Sequence, residues 1–262
     1  MDRLKLVWVA SFAYLAYAAI GDAPALSRDP AFSIVTSSSV FIALYFAHSY
    51  FNLGGRTALK YFAAAALLGY GFEYLFITTG LVGHYVYTAD LSPMLGPIPI
   101  FIPLLWASLG YFCLLAADNY VISALLMVFL DMAFDPRFST TLWAWVPPGP
   151  YFGVPIANFV GWFVTSLAIY SAFYLATRRR GRSSTTAIAF YLVFGLANGS
   201  VPDFFSGLYG AGEISLVLFA AATSVIYLNM RRRSRVAPPG RGLGAHSGGV
   251  GLPYSQNGGS AA

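Results

Sequence analysis

The stretch YFAAAALLGYGFEYLFI (61–77) decides how this chain is read, because a long apolar and aromatic run is broken there by a single charge, Glu73. A carboxyl group at bilayer depth is costly, and by default it marks a functional site. The pattern returns in VISALLMVFLDMAF (121–134), where Asp131 interrupts the run and Asp135 follows four residues later. Positions i and i+4 share one face of a helix, so these two acids are expected side by side.

Working outward, hydrophobic residues make up 58% of the 262-residue chain and charged residues 10%, against about 25% charged in a soluble domain. The composition predicts an all-α, polytopic transmembrane bundle. Crossing the hydrocarbon takes roughly 20 apolar residues per helix, and eight runs qualify: 4–20, 31–51, 58–80, 98–117, 119–135, 152–176, 184–202 and 210–230. The first is short, and it resembles an uncleaved span more than a signal peptide. Lys and Arg concentrate in cytoplasmic loops. Threading eight spans with both termini inside leaves only Arg28 and Arg137 of the 15 basic residues outside. The expected location is therefore a cell membrane, crossed many times, with both termini cytoplasmic. A membrane-embedded domain should occupy 1–235. The Gly-rich segment 236–262 cannot bury a core and is expected to be a disordered cytoplasmic tail.

The net charge of +5 reads as a topology signal that favours contact with anionic lipid. Nucleic acid is not an expected partner, since no basic stripe is interleaved with exposed aromatics. Two segments on the outer side, LVGHYVYTADLSPMLGPIPIFIP (81–103) and DPRFSTTLWAWVPPGPYFGVP (135–155), are too rich in proline and aromatics to be plain connectors. Irregular backbone at membrane depth survives only buried in protein or lining a cavity. Both are expected to be partly re-entrant caps over a pocket.

Several chemistries lack their residues. A retinal Schiff base needs a lysine within a span, but the lysines are Lys5 and Lys60, at span ends. Three histidines, one of them His246 in the tail, are too few for a di-iron centre, and His48 and His84 fall toward opposite faces. His48 is expected to be a hydrogen-bonded residue near a helix end. The single cysteine, Cys113, allows no internal disulfide. Asp131 and Asp135 make half of a prenyltransferase metal site, with no second aspartate cluster. What remains is acid–base chemistry with no cofactor and no metal, on an apolar substrate.

Burial disfavours the charged form of a carboxyl group, which would let Glu73 protonate an isolated alkene. Aromatic faces stabilise the resulting cation, and Tyr85, Tyr87, Trp106, Trp143 and Trp145 are the candidates. Asp131 or Asp135 would serve as general base to water. Asn158 and Trp162 share a helix face with Gly161 and complete the expected substrate-binding set. Plainer roles stand beside these: Glu73 as a bridge between helices, Asp135 as a turn cap before Pro136, Asn158 as interhelical glue, and Gly195 with Gly199 as a packing pair.

Four segments, GFEYLFITTGLVGHYVYT (71–88), GPIPIFIPLLWA (96–107), LDMAFDP (130–136) and WAWVPPGPYFGVPIANFVGW (143–162), resemble the carotenoid biosynthesis membrane family. That family contains the CruF-type carotenoid 1,2-hydratases and the bisanhydrobacterioruberin hydratases. The resemblance implies addition of water to the terminal double bond of an acyclic carotenoid end group, without a redox cofactor. It also implies a long apolar carotenoid substrate, surrounding lipid, and other carotenoid-pathway enzymes as partners. An acid-initiated end-group cyclase begins with the same protonation and is the alternative enzyme. A non-catalytic carrier would also place acids in its spans, but no inverted repeat relates the two halves.

Overall fold

The computed structural model describes residues 30–177 and 184–236, with Val9 and Ala13 as isolated residues. Its helices in chain order are α1 (Pro30–Leu53), α2 (Gly55–Thr79), α3 (Phe101–Ala117), α4 (Tyr120–Phe138), α5 (Ile156–Thr177), α6 (Thr185–Gly195), α7 (Val201–Phe205) and α8 (Tyr209–Val236). A π-helical turn, Leu196–Ser200, joins α6 to α7. The expected span 4–20, apart from Val9 and Ala13, lies outside the described residues, as do the arginine cluster 178–182 and the tail beyond Val236.

The hub is α3, whose sequence FIPLLWASLGYFCLLAA is apolar on every side. Such a helix has no face for solvent and ends up enclosed. Every residue of α3 except Leu104 and Leu105 is buried, and it packs against α1, α2, α4 and α6. His48 of α1 is buried against this hub, within hydrogen-bond distance of the Tyr111 hydroxyl at 2.8 Å. A tight joint leads from α3 to α4. Asp118 takes the left-handed conformation at φ 50°, and the Asn119 side chain caps α4 by accepting from the Ile122 amide at 3.0 Å.

Among the described residues, five segments are long and apolar enough to cross a membrane: Ile34–Leu53, Gly55–Thr79, Ile156–Thr177, Thr185–Phe205 and Tyr209–Arg232. Five of the expected eight spans are matched in this way. Of the other three, one lies outside the described residues, and α3 and α4 are the remaining two. The 17 residues of α3 extend about 25 Å as a helix, short of the roughly 30 Å of hydrocarbon. α4 carries Asp131, Asp135 and Arg137, all buried. Its charged residues face protein, so its composition need not match lipid.

Two prolines inside helices shape the region around α4. Proline has no amide hydrogen and releases the carbonyl four residues earlier. Pro136 lies within α4, and the Met132 carbonyl released in this way accepts from Tyr151 Oη at 3.1 Å. Pro202 opens α7, and the corresponding carbonyl of Asn198 accepts from Arg137 Nη2 at 2.8 Å. The Asp-Pro step was expected to offer Asp135 a turn-capping role. Instead α4 continues to Phe138, because a side chain from elsewhere satisfies the freed carbonyl.

One end of the bundle is covered by strands. β1 (His84–Tyr87) pairs antiparallel with β4 (Trp143–Val146), in the register Tyr85 to Trp145 and Tyr87 to Trp143. A second pair joins β2 (Met94–Leu95) to β3 (Ile98–Pro99). Side chains alternate across a strand, which is how HYVY and WAWV each present two aromatics to one side. Tyr85 and Trp145 are buried, while Val86 and Val146 are 70% and 63% exposed. The fold is thus mainly helical, as expected. The two proline-rich loops, expected as partly re-entrant segments, meet as a paired lid at one end of the helices.

Candidate active site

Glu73 projects from α2 and is 7% exposed. Three side chains from two other elements close on it. Tyr85 Oη donates to Oε2 at 2.5 Å, Tyr87 Oη donates to the same oxygen at 3.1 Å, and Trp106 Nε1 donates to Oε1 at 3.1 Å. The Trp106 contact depends on Gly69, one turn before Glu73. A Cβ there would stand 2.8 Å from Trp106 Cβ, so only glycine lets α2 and α3 approach this closely. Trp106 in turn stacks on Trp162 of α5, with centroids 4.1 Å apart.

The second acidic centre lies on α4. Asp131 and Asp135 are both buried, one turn apart as their spacing requires. A single amide bridges them: Asn158 Nδ2 of α5 lies 2.8 Å from Asp131 Oδ2 and 2.9 Å from Asp135 Oδ2. Trp143 of the lid donates Nε1 to Asp135 Oδ1 at 2.5 Å. The lid therefore serves both centres. β1 supplies hydroxyls to Glu73, β4 supplies an indole to Asp135, and Tyr87 and Trp143 face each other across the sheet at 5.7 Å.

Both centres open into one cavity of about 940 Å³, counting its mouth. Glu73, Tyr85, Tyr87, Trp106, Asp131, Asp135, Trp143, Trp145, Asn158 and Trp162 all line it, so the structure brings every candidate catalytic and substrate-binding residue to the same space. Its remaining wall is largely apolar and includes Leu105, Leu109, Phe134 and Phe194. Among the described residues, no group of three His, Cys, Asp or Glu stands close enough to hold a metal ion.

Sequence reasoning missed part of the wall. Arg137 and Asn198 also line the cavity. Arg137 was expected in an outer loop, yet it is 5% exposed, because α4 continues through Pro136 and carries it inward. Asp203, just past the expected span 184–202, is fully buried for a related reason: the helical path runs on through the π turn to Phe205. The available signal was the tight sequence Asp-Pro-Arg, in which a cation follows two residues after a buried acid.

A family described as carotenoid biosynthesis protein matches residues 30–224, well over half of the chain. The protein belongs to this family. CruF-type carotenoid hydratases are among its members. The match spans α1 to most of α8 and contains both acidic centres and the lid, which ties this family member to carotenoid biosynthesis. No curated protein and no solved structure matches the chain.

Proposed function

We propose that this carotenoid biosynthesis family member is a cofactor-independent carotenoid 1,2-hydratase. It adds water to the terminal C1=C2 double bond of an acyclic carotenoid end group and yields a tertiary alcohol. One observation carries the reading: a bridged pair of aspartates and a separately held glutamate share an aromatic-walled, largely apolar cavity.

The donors suggest which acid does what. Two carboxyl groups crowded on one amide disfavour double ionisation, so the Asp131–Asp135 pair holds one proton. It delivers that proton to C2, forming the new C–H bond and leaving a tertiary cation at C1. Faces of the cavity's Trp and Tyr rings stabilise the cation. Glu73, ringed by three donors that can accept its charged form, acts in this reading as general base. The oxygen of water bonds to C1 and its proton passes to Glu73. Return of that proton to the aspartate pair closes a cycle with no net proton or electron change. This proposal reverses the roles suggested by Glu73's isolation in the sequence, on the ground that side chains from distant segments supply its donors.

Expression in a lycopene-producing host, followed by mass analysis of the extracted pigment, tests the proposal. The pigment should gain one or two waters, with the visible spectrum nearly unchanged because the attacked bond lies outside the conjugated polyene. A product isomeric with lycopene would indicate cyclisation, and unaltered lycopene would leave a carrier. The proposal also places both termini in the cytoplasm, from the basic asymmetry. Reporter fusions after Arg182 and Arg235 should both read as cytoplasmic.

A further inference from the structure

A hydratase enclosed by apolar helices has to bring water to its cation, and the acids of the cavity do not account for how it arrives. Asp203, five residues after the cavity-lining Asn198, bears on this question. It has no exposed surface, and neither carboxylate oxygen has a hydrogen-bond partner among the described residues. An unmatched carboxylate in a protein interior is costly. Among small molecules at hand, water is the donor that fits, since a buried water typically bonds two to four otherwise unsatisfied polar groups.

The surroundings of Asp203 run from an exposed turn to the cavity. Two residues beyond it, Phe205 begins an exposed turn continuing through Ser206 and Gly207. Gly210, just past this turn, lies against Phe152 of the segment following β4, which places it at the lid end. Toward the interior, five residues before Asp203 on the same helical path, Asn198 meets the side chain of Arg137. The guanidinium bonds the Asn198 carbonyl, and both residues line the cavity. Ser200, the last residue of the π turn, is fully buried and bonded to Ser215 of α8 at 2.6 Å. The π turn makes this approach possible. Gly199 sits where a Cβ would stand 2.7 Å from Ala133 Cβ, so the turn lies directly on α4. π turns in general are frequent at functional sites.

We propose that Asp203, with Arg137 and Asn198, forms the station through which water reaches the reaction cavity from the lid end. The inference rests on the hydratase reading above. Asp203 touches neither substrate nor the reacting atoms and acts as a positioning residue for water. Its removal should alter the fate of the cation more than its formation. A cation deprived of water loses a proton or closes a ring, and a dry pocket therefore yields products isomeric with the substrate.

Membranes carrying the full chain, supplied with lycopene in H₂¹⁸O, give the test as a ratio of labelled hydrate to isomeric product. Asp203→Leu, which cannot bind water, should lower that ratio by roughly tenfold, the scale of a lost hydrogen bond to a charged group. Asp203→Asn loses the same charge but still binds water, and should keep the ratio within about threefold of wild type. Equal losses in both variants would mean that Asp203 only balances Arg137, and would overturn the proposal. So would a wild-type ratio in Asp203→Leu. If Asp203→Leu fails to accumulate, Asn198→Leu at the inner end of the route should produce the same shift, and an unchanged ratio there overturns the proposal. Wild-type membranes that form no labelled hydrate at all would instead defeat the hydratase reading itself.

Discussion

The cavity holds the same functional group in two settings. Glu73 is surrounded by hydroxyl and indole donors from three aromatic side chains, whereas Asp131 and Asp135 share one amide hydrogen-bond donor group and crowd each other. A carboxylate with several donors is satisfied as an anion, while a close pair is relieved by keeping a proton. The difference teaches that burial alone does not decide which acid gives a proton. In the proposed mechanism the donors brought by other segments decide it.

Removing the pair's proton is expected to have the largest effect. Asp131→Asn or Asp135→Asn should lower hydration by about 100-fold or more, the scale of general acid catalysis. With ²H₂O as solvent, deuterium should also fail to enter the end group of recovered lycopene. Glu73→Gln should reduce hydration by a similar factor of about 100 but spare part of the first step. The aspartate pair can still protonate the alkene and take the proton back, so recovered lycopene should gain deuterium without gaining water. If the aspartate variants incorporate deuterium and Glu73→Gln does not, the comparison is inverted and Glu73 is the donor.

A smaller effect is expected from thinning the glutamate's donors. Tyr85→Phe deletes the hydroxyl at 2.5 Å and should slow hydration by about tenfold, the cost of one hydrogen bond to a charged group. An unchanged rate would mean that Glu73 does not depend on its donors. The smallest effect on chemistry should come from Gly69→Ala, which pushes α2 away from Trp106. It should cost about 1–3 kcal/mol of overpacking, seen as a lower unfolding midpoint in detergent. A midpoint at the wild-type value would show that the close approach of α2 and α3 is dispensable.

Much of the site was legible in the sequence. Charge is rare in apolar runs, so Glu73, Asp131 and Asp135 stood out without any structure, and the i,i+4 rule already placed the aspartates together. The surplus of aromatics in 81–103 and 135–155 marked the segments that became the lid. Composition was also enough for a mainly helical membrane protein, because lipid accepts few other ways of satisfying the backbone.

Tertiary structure decided what depends on distant partners. That Tyr85 faces Trp145, and that Tyr87 and Trp143 bond different acids, follows from a strand register set between segments almost sixty residues apart. Such pairing leaves no local period to read. The helical path through Pro136 and Pro202 was equally invisible, since each proline breaks its own ladder and only Tyr151 and Arg137, arriving from elsewhere, take up the freed carbonyls. The apolar pattern was enough to mark Glu73, Asp131 and Asp135 as buried, though not Arg137 or Asp203. Their hydrogen-bond partners were set only when helices and lid closed around one cavity, because a hydrogen bond acts over about 3 Å and sequence separation says little about that distance.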